Sequence, residues 1–132
     1  MAYSDLPGER VRHNVFADAS VPKTYFSALW SEAWSKYEDA QRELEWHSEK
    51  SPHWEPDETI PEEFWSWNAK NNILLQRRSD AAFMVGDACI ACVESDHFSH
   101  QESADLYQKA QTPTHTIEQN TRICEAIARK TE

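Results

Sequence analysis

Glycine is nearly missing from this chain: Gly8 and Gly86 are the only two in 132 residues. Tight hairpin turns and phosphate-cradling loops both lean on glycine, for positive φ or for close backbone approach. Its scarcity argues against β-rich and nucleotide-binding folds and favours an all-α chain. Positive charge is also short. Thirteen Lys and Arg stand against 23 Asp and Glu, a net charge of −10. Such a chain lacks the clustered cations that grip a phosphate backbone, so no direct nucleic-acid binding is expected. No apolar run approaches the roughly 18 residues that a membrane helix needs, so no membrane association is expected. The opening MAYSDLPGERVRHN is polar and has no apolar core, which argues against a signal peptide. Cysteine comes as an odd three, and Cys89 and Cys92 sit inside an apolar run. They read as reduced, buried thiols, which points to a cytoplasmic protein. Aliphatic bulk is thin: Leu, Ile, Val and Phe together are 22 of the 132 residues. That is under the rough 20% mark below which high charge signals disorder.

Tryptophan is what the chain has instead. All six lie between Trp30 and Trp67, and the chain adds four tyrosines. The core must therefore rest on aromatics, each burying ~150–250 Å². A core of that kind gains from a partner or a second copy.

The pattern reads as a small all-α bundle of four to five helices. Residues 1–20 lack periodicity and are expected to form a flexible N-terminal arm, with residues 21–132 as a single helical domain. The first helix is expected from about Pro22 to Glu49. Phe26, Trp30, Ala33, Tyr37, Ala40 and Leu44 step by alternating fours and threes, a seam along one face. Pro52, Pro56 and Pro61 make residues 51–60 an extended, acidic connector. Thr59 to Glu62 has the form of a capping box opening a second helix, which runs to about His97 with candidate breaks at Asn71-Asn72 or Gly86. The run AAFMVGDACIACV, 81–93, is apolar on nearly every face, as in a central buried helix; a buried strand is the rival reading. Ser99 to Glu102 and Thr116 to Gln119 form two more capping boxes. They open a short helix to about Gln111 and a last helix whose shared face is Ile117, Asn120, Cys124 and Ile127, with Ile123 beside it.

The acid is concentrated. From Glu32 to Glu63 there are eleven acids and three bases, so −8 of the chain's −10 lies in that stretch. It overlaps the tryptophans. Trp30 and Trp34 suit a core, but Trp46 and Trp54, set among acids and prolines, do not. Interfaces favour Trp anchors ringed by polar groups, and a negative ring would steer in a basic partner and set its register. The expected contact residues are Glu43, Glu45, Trp46, Glu49, Trp54, Glu55, Asp57, Glu58, Glu62, Glu63 and Trp67. The plainer alternative is a solvated acidic face whose tryptophans fold the connector onto the bundle. The sharper one is mimicry of nucleic-acid phosphates, blocking a nucleic-acid-binding protein as some phage and plasmid inhibitors of host defence do.

Three arrangements could carry chemistry. Cys89-x2-Cys92-x4-His97-x2-His100 has zinc-ligand residue types, but on a continuous helix His97 lies about 140° from Cys92. A break near Ser95-Asp96 would be needed for them to converge. Glu94-x2-His97 is half of a di-iron motif, with no second copy in the chain. Arg42-x4-His47 resembles the signature of HEPN ribonucleases, an all-α family. The resemblance rests on these two residues and implies His47 as general base. Asp87, amid the apolar run, should find a partner, with Arg77, Arg78 or Arg122 as candidates, or else face outward at a helix edge; its functional reading is a perturbed acid in a pocket. Cys124 reads as core, since nothing places a base beside it.

The reading that follows is a non-enzymatic acidic module without cofactor or metal, an inhibitor or adaptor that docks on a basic partner such as a nucleic-acid-binding protein. The rival is a HEPN-like ribonuclease or a small zinc domain. A homodimer through the first-helix seam is compatible with the same heptad spacing.

Overall fold

A computed structural model describes residues 21–111, 113 and 116–130. The expected N-terminal arm and its flexibility lie outside the described residues. The rest is all-α: α1 is Lys23–Ser48, α2 Glu62–Glu94, α3 His100–Ala110 and α4 Ile117–Ala128. No strand occurs among the described residues, so the run at 81–93 is helix. None of the described helices is long and apolar enough to cross a membrane.

Both long helices start on a proline in extended conformation. Pro22 (φ −75°, ψ 157°) caps α1, and Pro61 (φ −60°, ψ 145°) caps α2. Neither start has a side-chain cap. The capping box expected at Thr59 is therefore not formed. Proline holds the preceding residue extended, so Ile60 cannot join the helix and the start moves on to Glu62. Glu62 and Glu63 then sit in the first turn, where carboxylates suit the helix dipole. The boxes at Ser99/Glu102 and Thr116/Gln119 both form, each with reciprocal side-chain and backbone bonds.

The 33-residue α2 runs without a break at Asn71-Asn72 or at Gly86. Its second half is the centre of the molecule. Val85, Ala88, Cys89, Ile90, Ala91, Cys92 and Val93 are buried there. They pack with Phe26, Trp30 and Ala33 of α1, Ala110 of α3, and Ile123 and Ala126 of α4. Surrounded on all sides, this half can be apolar all round. The seam of α1 faces the same core: Phe26, Trp30, Ala33 and Leu44 are buried, with Tyr37 and Ala40 half-buried. Full burial of a side chain such as Phe26 or Leu74 is worth about 1.5–3 kcal/mol.

Gly86 has a steric reason. A Cβ there would come within 2.4 Å of the Gln119 side chain. That side chain is the polar hinge between α2 and α4. Its Nε2 donates to the Phe83 carbonyl and to Asp87 Oδ1, both at 3.0 Å, while Oε1 accepts from the Thr116 N–H. Asp87, only 4% exposed, thus has an amide partner. The three arginines considered for it engage elsewhere: Arg77 with Glu43, Arg78 with Gln41, and Arg122 with Glu94 in a two-pronged pair.

The face expected for α4 is rotated. Gln119, Ile123 and Ala126 point inward, whereas Ile117 is 85% exposed and Cys124 is exposed. Periodicity alone put apolar Ile117 and Cys124 inside. The Gln119 hydrogen bonds turn the helix so that Ile123 leads inward, while Ile127 of the expected face still packs at the edge of the core.

Candidate interaction surface at the helical hairpin tip

Beyond the core, α1 and α2 continue as a two-helix hairpin that carries Leu44 and Leu74 as its buried residues. Its far end is built around His47 and Trp67. The Trp67 indole N–H donates to the His47 carbonyl at 2.9 Å. His47 Nε2 lies 2.9 Å from the Trp67 carbonyl. A carbonyl only accepts, so Nε2 carries the proton and donates. The two rings stack at 5.0 Å between centroids and 10° between planes. Phe64 packs on Trp67 and, edge-on, on Trp54 at 4.9 Å. The connector is thereby folded back onto the start of α2, and Glu58 accepts from the Glu55 N–H within it.

Trp46 and Trp65 are left outside. They are 63% and 57% exposed, one in the last turn of α1 and the other in the first turn of α2. Lys50 covers one face of Trp46, its Nζ 3.3 Å from the ring centroid. All eight expected acidic contacts, Glu43, Glu45, Glu49, Glu55, Asp57, Glu58, Glu62 and Glu63, are exposed. Glu43 is partly answered by Arg77 at 3.5 Å and Glu55 by His53 at 3.3 Å. Trp67 and Trp54, expected as contacts, are half-buried and serve the tip's own packing.

Trp65 is the exposed anchor missing from the expected set. A phase signal was available. Trp67 lies seven residues before Leu74 and so shares its inward face, while Trp65, nine before it, falls on the opposite side.

Among the described residues the metal-type arrangement does not assemble. The chain does turn at Ser95, where the Ser95 hydroxyl and the Lys130 ammonium satisfy carbonyls near the end of α2. Two of the four zinc-type residues nonetheless turn to separate backbone carbonyls. Cys92 Sγ points at the Phe26 carbonyl, 3.4 Å away, and His97 Nε2 donates to the Val21 carbonyl. Burial pushes the thiols of both Cys89 and Cys92 up to about 12. Among the described residues no three His, Cys, Asp or Glu side chains gather as metal ligands would. In the ribonuclease-type pair, His47 Nε2 is committed to the Trp67 carbonyl and Arg42 is paired with Asp39.

Compared with family models, curated proteins and solved structures, this chain matches none.

Proposed function

We propose that this protein is a non-enzymatic binding module that docks the acidic tip of its α1–α2 hairpin onto a basic partner protein. The observation that carries the reading is the exposure of Trp46 and Trp65 at a tip held by the His47–Trp67 clamp. Indoles are costly to leave in water, and rigid ones on a firm base lose little entropy on binding. Rings of this type dominate binding energy when a partner covers them, and the surrounding carboxylates steer and align a cationic surface. An inhibitor or adaptor role fits, and imitation of nucleic-acid phosphates is its sharper form. The expected setting is the cytoplasm.

Affinity capture from host lysate tests this, with three baits at low and high salt: wild type, Trp46→Ala/Trp65→Ala, and Glu55→Lys/Asp57→Lys/Glu58→Lys. The reading expects one captured protein that both variants lose and that salt weakens. Displacement of that protein by added DNA or RNA would mark mimicry. Equal capture by all three baits would overturn the docking tip.

A further inference from the structure

A second surface lies on another flank of α1. A groove of about 380 Å³ is lined by Trp34, Tyr37, Glu38, Gln41, Arg42 and Glu45. These positions follow helical spacing along one strip, next to the buried seam, and Trp46, one turn beyond Arg42, lies at the margin of that strip. The floor is aromatic. Trp34 stacks on Trp30 at 5.7 Å and 17°, and Tyr37 leans on Trp34 at 5.7 Å. Trp30 is buried, so the floor is anchored in the core. The rim is acidic: Glu38 and Glu45 are both exposed. Gln41 is held between them, donating to Glu45 at 3.0 Å and accepting from Arg78 of α2. Arg42, the one cation among the lining residues, is drawn off by Asp39.

The chain itself shows what such a floor takes. Lys109 of α3 places its Nζ 5.2 Å from the Trp34 ring centroid. Indole faces attract ammonium groups through the ring quadrupole, more so when carboxylates stand nearby. Lys109 thus shows the Trp34 ring taking an ammonium group, an internal counterpart of an outside cation.

We infer that this groove is a docking site for a lysine-bearing peptide segment of a partner protein, with the ammonium over Trp34 and Tyr37 and between Glu38 and Glu45. A second copy of this chain is the weaker occupant, since two chains of net charge −10 repel. The inference rests on the reading of a basic partner and extends it to a surface that adjoins the tip and shares Glu45 with it.

Isotope-labelled full-length protein titrated with a blocked pentapeptide, acetyl-Gly-Lys-Gly-Lys-Gly-amide, tests it by NMR. The indole N–H signals report the two surfaces separately: Trp34 for the groove, Trp46 and Trp65 for the tip. The expected result is a saturable shift of Trp34 and of the Tyr37 and Gln41 amides. Glu38→Gln/Glu45→Gln should weaken binding on the order of fivefold, and Lys109→Met should tighten it by removing the internal competitor. Both variants change solvent-exposed side chains, so the fold remains available for the measurement. The inference is overturned if Trp34 does not shift, if the norleucine analogue of the peptide binds as well, or if only Trp46 and Trp65 respond. That last outcome would leave the tip standing alone. Shifts at Trp34 in a protein whose tip variants capture everything that wild type does would leave the groove and remove the tip.

Discussion

His47 and Trp67 hold each other by two hydrogen bonds and a ring stack, twenty residues apart in sequence. Each side chain reaches the other's backbone, so the pair closes the hairpin as a ring rather than as one contact. Removing the indole donor with Trp67→Phe is expected to cost about 0.5–1.5 kcal/mol, the usual net worth of one hydrogen bond. A double-mutant cycle with His47→Ala, read by urea unfolding, should give a coupling of similar size. Additive single effects would mean that the two residues act separately and the tip is not clamped.

Gly86 leaves the room that the Gln119 side chain fills between α2 and α4. Gly86→Ala gains helix propensity but drives a methyl into a side chain already committed to three hydrogen bonds. The expected net effect is a loss of about 1–3 kcal/mol, as for other overpacked sites. Gln119→Ala makes room, so Gly86→Ala placed on that background should be neutral or stabilising. Thermal or urea unfolding of the four proteins decides it.

The three thiols should separate by reactivity. Cys124 is exposed, while Cys89 and Cys92 are buried. A disulfide reagent under native conditions is expected to modify Cys124 alone, with the other two reacting only on unfolding. Their raised values also carry a pH signature. Unfolded thiols lose their protons near the ordinary value of 9.0, but the folded ones hold them to about 12. Between those values the unfolded chain binds fewer protons, so stability present below pH 9 drains away as pH rises toward 12. Cys89→Ala/Cys92→Ala should flatten that part of the urea midpoint against pH, relative to wild type.

Trp30 and Trp46 should behave as opposites. Trp30 is buried in the core cluster, and Trp30→Ala is expected to cost about 3–5 kcal/mol. Trp46→Ala and Trp65→Ala should stay within about 0.5 kcal/mol of wild type by denaturant unfolding. A large loss at either tip residue would make it a structural side chain and weaken its reading as a contact.

Much of the architecture was legible in local chemistry. Prolines at 22 and 61, the seam from Phe26 to Leu44, and the boxes at Ser99 and Thr116 place all four helices to within a few residues. The apolar run at 81–93 identifies the central segment. These features act over one or two turns, where spacing and capping are enough to decide. Among the sites, the acids at 43–63 had to be exposed, because eight carboxylates against one Lys in one stretch cannot be buried unpaired. The roles of individual side chains were set by tertiary partners. Ile117 is outside because Gln119 finds Asp87 and the Phe83 carbonyl across the helix interface. Cys92 and His97 turn to separate carbonyls, 66 and 76 residues away in the chain. Trp67 goes in and Trp65 stays out because only one of them shares a face with Leu74 and meets His47. Composition determined a helical, acidic, tryptophan-rich chain; which tryptophans remain available to a partner was decided by hydrogen bonds and ring contacts between residues far apart in sequence.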